Sequence, residues 1–251
     1  MLECYDVSVS YNKKRVLGSV SFRAEPGQIT VLLGKNGCGK TTLFRALSGN
    51  LRYSGSIVAD GCQISGLPAH KRARLVSVMP QVLRSPDITV CDLVAFGRQP
   101  YTGISGVLSA KDRKIVQDAI EKTGLSALAH TKISRISGGE RQKAFFAMLL
   151  AQDTPNLLLD EPGAHLDAKY MNSMFRFLNE EKNKGKTVVA VLHDINGAVE
   201  IADQIVVIHN GRTMFCGTPA DFCLSCVAEE VFGLRKFTCE HADGTSILFF
   251  R

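Results

Sequence analysis

The sequence predicts an α/β fold with a mostly parallel central sheet, an N-terminal antiparallel β subdomain and an inserted α-helical subdomain. Three observations carry this. Apolar runs recur at Ile29 to Leu33, Asn156 to Pro162 and Thr187 to Asp194, long enough for buried strands and too short for helices. Residues 2 to 31 instead read as antiparallel and partly exposed before the last of them becomes buried. From Val82 to Arg135 strand-like runs disappear and helical ones replace them.

Taken in order, Tyr5 to Tyr11 alternates, Asn12 to Arg15 makes a polar turn, and Val16 to Phe22 returns. Pro26-Gly27 turns the chain into the Ile29 strand. That strand runs into Gly34-Lys35-Asn36-Gly37-Cys38-Gly39-Lys40-Thr41, then Thr42 and a helix ending at Gly49. Strand, glycine-rich turn and helix start together predict a phosphate-binding loop and a bound nucleoside triphosphate. Glycines let successive N–H groups point inward, and the helix N-terminus adds partial positive charge. Lys40 supplies a full charge for the terminal phosphates, and the Thr41 hydroxyl suits Mg²⁺. A thiol at Cys38, beside a helix N-terminus, is expected to have thiolate character and to be sensitive to alkylation. Tyr11 ends the first strand, where its ring could stack on a base or simply half-bury.

Gly55 to Gly61 reads as a short strand and turn, His70 to Arg74 as a solvated basic run, and Leu75 to Gln81 as the next strand. Ligands gather at the carboxyl ends of parallel strands, so Gln81 is in reach of Mg²⁺ or an attacking water. In the helical stretch, Thr89 to Gly97 and Ser109 to Gly124 are predicted helices, the second capped by Ser109 and Asp112, with Ile115, Ala119 and Ile120 on one face. Phe96, Tyr101, Ile104, Val107 and Leu108, beside Arg84 and Arg98, read either as a partner-docking surface or as ordinary subdomain packing. Ser137-Gly138-Gly139-Glu140 is a second glycine turn before a helix, an anion grip without a lysine, which suggests a shared ligand.

Asp160 and Glu161 close an apolar strand. Neighbouring strand residues point opposite ways, so the acids are expected to differ in role: Asp160 toward Mg²⁺, Glu161 toward the hydrolytic water. Asp167 opens a helix over 167 to 184, where it caps that helix or makes a contact across subunits. His193 closes the next strand and is placed to sense a γ-phosphate. Gln204 to His209 is a further strand that turns at Asn210-Gly211; 221 to 232 reads as a helix, and a final hairpin turns about Asp243-Gly244.

The 251 residues carry a net charge of +6 that is not gathered into a tail, so no nucleic-acid arm is read from it. The start lacks the basic flank and apolar segment of a signal peptide, and no apolar run approaches membrane-spanning length, so a soluble intracellular chain is expected. Its eight cysteines then sit in a reducing compartment, and Cys223 and Cys226 read as small buried apolar residues rather than a metal site.

In this order, Gly34 to Thr41, Gln81, Ser137 to Glu140, Asp160-Glu161, Asp167 and His193 resemble the nucleotide-binding subunit of an ABC transporter over nearly the whole chain. The resemblance implies a P-loop NTPase core over 1–81 and 153–251, with a helical subdomain over 82–152 that carries the signature turn. It also implies ATP and Mg²⁺ as ligands, with Tyr11 stacked on adenine and Ser137, Gly138 and Gly139 on the phosphates of a second copy. A head-to-tail homodimer, membrane permease subunits and, indirectly, a substrate-binding protein are the implied partners, at the cytoplasmic face of the membrane. Ile136 and Glu140 stand where Leu and Gln are commonest in the signature.

Ile88 to Arg98 with Pro100-Tyr101, and Ala151 to Pro155, are similar to the ATPases of iron-siderophore importers, with haem or cobalamin import as the alternative. An ATPase acting on DNA or ribosomes is disfavoured, since 82 to 136 has no room for a long coiled coil and only one cassette is present. The Ser-Gly-Gly turn and the Asp-Glu pair disfavour a small-molecule kinase.

Overall fold

The computed structural model describes residues 1–251 other than 13, 82, 84, 104–105, 163–167 and 241–245. Its centre is a six-stranded sheet of β3 (Ile29–Leu33), β6 (Val76–Met79), β7 (Asn156–Asp160), β8 (Thr187–Val191), β9 (Gln204–His209) and β10 (Arg212–Gly217), in the order β10-β9-β3-β8-β7-β6. All neighbours run parallel except the β9–β10 hairpin. Strands β3, β7 and β8 are buried at every residue, which is why they read as unbroken apolar runs.

Period-two alternation divides these strands between two cores. Val31, Leu33, Leu157, Leu159, Val188 and Ala190 face the helices, whereas Leu32, Leu158, Val189 and Val191 face the antiparallel sheet. That second sheet has the order β2-β1-β4-β5, built from β1 (Leu2–Tyr11), β2 (Lys14–Ala24), β4 (Ser54–Ala59) and β5 (Cys62–Gln63). Between the sheets lies α1 (Lys40–Leu47), whose Leu43, Phe44, Ala46 and Leu47 are buried. Burying each large apolar side chain among them contributes about 1.5–3 kcal/mol, so the helix carrying the phosphate loop is anchored over its whole length.

The insertion comprises α3 (Val90–Phe96), α4 (Ala110–Lys122) and α5 (Gly138–Gln152), with α2 (Ala69–Leu75) preceding β6. Capping boxes start all three: Thr89 with Asp92, Ser109 with Asp112, and Ser137 with Glu140. On α4 the buried apolar residues are Val116, Ala119 and Ile120, with Ile115 only partly buried. Arg98, open to two readings as docking surface or subdomain packing, is 5% exposed, which fits packing. It pairs with Asp112 at 2.9 Å, donates to the Ala151 carbonyl at the end of α5 and lies 4.0 Å from the Tyr101 ring centroid. A buried guanidinium needs such partners, and they tie the ends of α3, α4 and α5 together. Of the residues grouped with it, Phe96 and Val107 are exposed, while Arg84 and Ile104 lie outside the described residues.

After β7, α6 (Ala168–Asn183) leads to β8, and α7 (Ile195–Ile201) leads to β9. The predicted helix over 221 to 232 is two pieces: α8 (Pro219–Leu224) and one wide turn over Ala228–Phe232. Ser225 breaks it by adopting an extended backbone while its hydroxyl donates to the Phe222 carbonyl. Consequently Cys223 is half-buried and Cys226 exposed, not the buried pair expected, although among the described residues no metal-holding cluster forms. The His70 to Arg74 run lies in the helix α2, which has no buried residue. Strands β11 (Lys236–Glu240) and β12 (Ser246–Phe250) pair antiparallel, and the turn expected about Asp243-Gly244 lies outside the described residues. Among the described residues no helix is long and apolar enough to cross a membrane.

Candidate functional site

The carboxyl ends of β3, β6, β7 and β8 deliver their next residues to one cleft of about 660 Å³. Its walls include Asn36, Gly37, Gly39, Lys40, Thr41 and Thr42 from the loop after β3, Gln81 beyond β6, Glu161 beyond β7 and His193 beyond β8. Four separate sequence regions thus meet at one sheet edge, the place where parallel sheets bind ligands.

The loop folds as its glycines require. Gly37 (φ 79°) and Gly39 (φ 107°) occupy left-handed backbone, and a side chain at Gly39 would run into Leu17. Because Gly39 is the N-cap of α1 and offers no side chain, the first N–H groups of that helix have no side-chain cap. Lys40 is 6% exposed, and its Nζ donates to the carbonyls of Gly34 at 2.6 Å and Lys35 at 3.2 Å. The ammonium therefore holds its own loop closed, at the mouth of a cleft rich in donors.

Asp160, the last residue of β7, is 4% exposed, and its Oδ1 is buried with no hydrogen-bond partner. Burial, followed by the neighbouring Glu161, pushes its carboxyl above the ordinary range, against the pull of the Thr41 hydroxyl and Lys40. An orphaned carboxylate oxygen beside a threonine hydroxyl is a donor set suited to a hard divalent cation. Thr41 and Asp160 therefore fit Mg²⁺ on chemistry as well as on position.

Glu161 leaves the strand in left-handed backbone (φ 52°), a conformation that costs a non-glycine residue about 1–3 kcal/mol. Glu161 lines the cleft and Asp160 does not, but the turn out of the strand, not strand alternation, sets its course. There one carboxylate oxygen accepts from the Gln81 amide, and the other lies 2.5 Å from His193 Nε2. His193 is fixed from behind, since Asp194 caps α7 by accepting from the N–H groups of Asn196 and Gly197.

Cys38 reverses its expectation. Burial pushes the thiol up, and this outweighs the nearby Lys40 charge and the backbone N–H groups at the helix start. Its neighbours line a second, basic cleft of about 460 Å³ across the phosphate loop, among them Lys14, Arg15, Lys35 and His209. Tyr11 is 39% exposed at the end of β1, paired with Lys14, and is not on the wall of the main cleft. Val16 is on that wall, a residue that sequence reasoning missed. Nothing distinguishes it from other strand valines except that it returns from the turn facing the loop.

Ser137, Gly138 and Gly139 stand elsewhere, at the N-terminus of α5, and do not line the main cleft. The Ser137 hydroxyl donates to Glu140 at 2.7 Å and accepts from the Glu140 N–H at 3.3 Å. That hydroxyl holds the Glu140 carboxyl below the ordinary range. A Cβ on Gly139 would meet nothing within 4 Å, and on Gly138 only the Arg141 guanidinium at 4.0 Å. Asp167 lies outside the described residues.

The family described as ABC transporter matches residues 17–164 of this chain. The hemin import ATP-binding protein HmuV of Chelativorans sp. (strain BNC1) is 37% identical over 252 residues, covering 97% of this chain and 95% of that protein. The ferric enterobactin transport ATP-binding protein FepC of Escherichia coli (strain K12) is 34% identical over 232 residues, covering 91% of this chain and 86% of its own. Among solved structures, an inward-facing putative metal-chelate type ABC transporter aligns with a TM-score of 0.85 and 24% identity, over 100% of this chain and 96% of that one. That last likeness is one of fold.

Proposed function

The chain belongs to the ABC transporter family as an ATP-binding, ATP-hydrolysing subunit, and from that premise we propose that it powers import of an iron chelate of the ferric-siderophore type through a separate membrane permease. Haem or cobalamin is the alternative cargo. The relatives named for ferric enterobactin and hemin support the choice, as does the motif over Ile88 to Tyr101. The chain would sit at the cytoplasmic face of the membrane, with a substrate-binding protein delivering cargo on the far side. Cargo is read by those partners, and no nucleic acid is involved.

One observation carries the mechanism: two glycine turns suited to phosphate stand in one protomer, and only one of them lines the cleft. A head-to-tail pair of copies would bring Ser137, Gly138 and Gly139 of one onto the ATP held by Lys40 of the other. In that arrangement the N–H groups after Gly39 and the Lys40 ammonium bind the β- and γ-phosphates. Tyr11 stacks on the base, and Asp167 meets the facing copy. Thr41, Asp160 and Gln81 would hold Mg²⁺, which would neutralise charge on the phosphates. Glu161 takes the proton of the attacking water, and His193 steadies both Glu161 and the γ-phosphate. Positioning and charge, the main resources of phosphoryl transfer, would then be complete only in the pair.

Glu161→Gln tests this. The variant should bind ATP, lose about 10²- to 10⁴-fold in turnover and accumulate as a dimer on size exclusion with ATP. Near-normal turnover would remove Glu161 from its role. Turnover per chain that does not change with protein concentration would remove the paired site.

A further inference from the structure

Gln81 and Ser137 lie in different regions of the protomer, yet the segments that lead away from Gln81 and up to Ser137 are laced together. From the Gln81 side, the Ile88 carbonyl accepts from the Ile133 N–H at 2.9 Å. The Val90 N–H donates to the Thr131 carbonyl at 3.0 Å, and the Cys91 N–H to the Ala129 carbonyl at 2.8 Å. Thr89 and Lys132 form an isolated bridge, and Lys132 pairs with Asp87 at 2.8 Å. Nearest to both functional ends, the Arg141 guanidinium donates to the Ser85 hydroxyl.

The spacing gives that last contact its significance. Ser85 is four residues beyond Gln81, whose amide holds Glu161. Arg141 is four residues beyond Ser137, one helical turn along α5 and on the same face as the turn. The backbone pairs fix only the far end of the lacing, at Ile88 to Cys91. The Lys132–Asp87 pair is exposed on both sides, with 45% and 73% of the side chains accessible, so it contributes little. Among the described residues, Arg141, half-buried and with a rigid, directional fork of donors, is left as the link that can set where the Gln81 segment stands relative to the Ser137 turn.

We propose that Arg141 is a positioning residue that couples Gln81 in one nucleotide cleft to the Ser137 turn serving the other. This rests on the paired-site reading above. Engagement of Gln81 with its own ATP would then be felt, through Ser85 and Arg141, at the Ser137 that grips the ATP of the facing copy. Neither Arg141 nor Ser85 touches nucleotide in this scheme.

The experiment is a double-mutant cycle on the full-length chain with Arg141→Ala, Ser85→Ala and both together. Turnover is measured at a protein concentration where the unmutated chain is active. ATP affinity is measured separately in dilute protomers. Each single variant should lower kcat about tenfold, in line with the loss that small misplacements bring, and the double variant should be no slower than the slower single one. Protomer ATP affinity and the thermal midpoint should not move. Losses that multiply in the double variant, unchanged turnover, or an ATP affinity that falls in step with kcat would each overturn the proposal. Should Arg141→Ala fail to fold, the exposed Ser85→Ala carries the kcat comparison alone, and unchanged turnover there is decisive. Failure of the paired site itself would surface in the unmutated chain, as turnover indifferent to protein concentration, and so is not confused with failure of the coupling.

Discussion

The two glycine turns of this protein differ in what their glycines are for. At the start of α1, Gly37 and Gly39 adopt left-handed backbone, and a Cβ at Gly39 would press on a Leu17 methyl. Removing either would disturb the protomer itself. At the start of α5, neither Gly138 nor Gly139 has positive φ, and the space around Gly139 is empty. Among the described residues nothing asks for glycine there, and alanine would suit a helix better by about 0.8–1.0 kcal/mol. The first turn is shaped by its own fold. The second keeps a clear approach for something outside it, and the capping box of Ser137 and Glu140 holds the helix start ready meanwhile.

The largest effect that sharpens this contrast comes from Gly139→Asp. A Cβ there would meet nothing within 4 Å among the described residues, so thermal stability and ATP affinity in dilute protomers should stay unchanged. Turnover should fall by about 10³-fold, the upper range for losing one group of donors to a developing charge. Gly39→Ala should do the opposite in kind: strain of about 1–3 kcal/mol from the φ of 107° lowers the melting point, and ATP binding by the protomer is lost with it. If Gly139→Asp instead unfolds the chain while Gly39→Ala is silent, the distinction between the turns is wrong.

Next in size is Asp160→Asn. The buried Oδ1 without a partner makes the carboxylate unfavourable on its own, and its pKa is raised by burial and by Glu161. A carboxyl raised in the folded state destabilises the fold fully above its folded value, and that penalty fades as pH falls from there to the ordinary carboxylate range. Without cation, the asparagine variant should therefore match or exceed the parent in stability at neutral pH, and the gap should close in acid. With Mg²⁺ and ATP the order should reverse, with turnover down by about 10²-fold, the low end for groups that activate a nucleophile. A parent chain that is more stable than the variant at pH 7 without cation would contradict the assignment of Asp160.

Much of this was legible in the sequence because the physics was local. Fully buried parallel strands must be apolar throughout, so β3, β7 and β8 announced themselves. Capping boxes are four-residue signals, and the one read at Ser109 forms in the fold, whereas sequence reasoning missed that at Ser137, read only as an anion grip. What failed depended on partners distant in sequence. The role of Arg98 stayed open between surface and packing because nothing nearby in sequence shows that Asp112 and the Ala151 carbonyl will close over it. The break at Ser225 turns on one hydroxyl choosing the Phe222 carbonyl over the helix. The clasp of Gln81 and His193 on Glu161 joins three strand ends, and only the sheet order brings them together.

A smaller effect tests the seam between the helical insertion and the core. Glu181 on α6 has a side chain only 2% accessible and meets Lys122 of α4 at 2.8 Å, Lys184 at 2.6 Å and Lys186 at 3.0 Å. Burial alone would raise its pKa, but the hydrogen bonds from Lys122 and Lys184 and the charge of Lys186 outweigh it and hold the carboxyl at about 2. Its contribution is complete above the ordinary carboxylate range and vanishes as pH falls toward about 2. Glu181→Gln should cost about 2–3 kcal/mol at pH 7, below the full range for a broken buried pair because the lysines are partly solvated. Urea titrations at pH 7 and pH 3 should show that difference shrinking in acid.

The smallest effect returns to the phosphate loop and asks how strongly a helix start acts on a thiol. The dipole and Lys40 both favour thiolate at Cys38, yet burial prevails and the pKa is raised. Iodoacetamide at pH 7.5 should therefore modify Cys38 more slowly than the exposed Cys62 and Cys226, as read by mass spectrometry of tryptic peptides. Adding ATP should slow it further by covering the loop. Cys38→Ser should shift stability by no more than about 1 kcal/mol, since the thiol behaves as a small buried apolar group rather than an anion. Preferential labelling of Cys38 would mean that the free N–H groups of α1 outweigh desolvation, and the loop would then be more open to solvent than the Lys40 contacts to Gly34 and Lys35 imply.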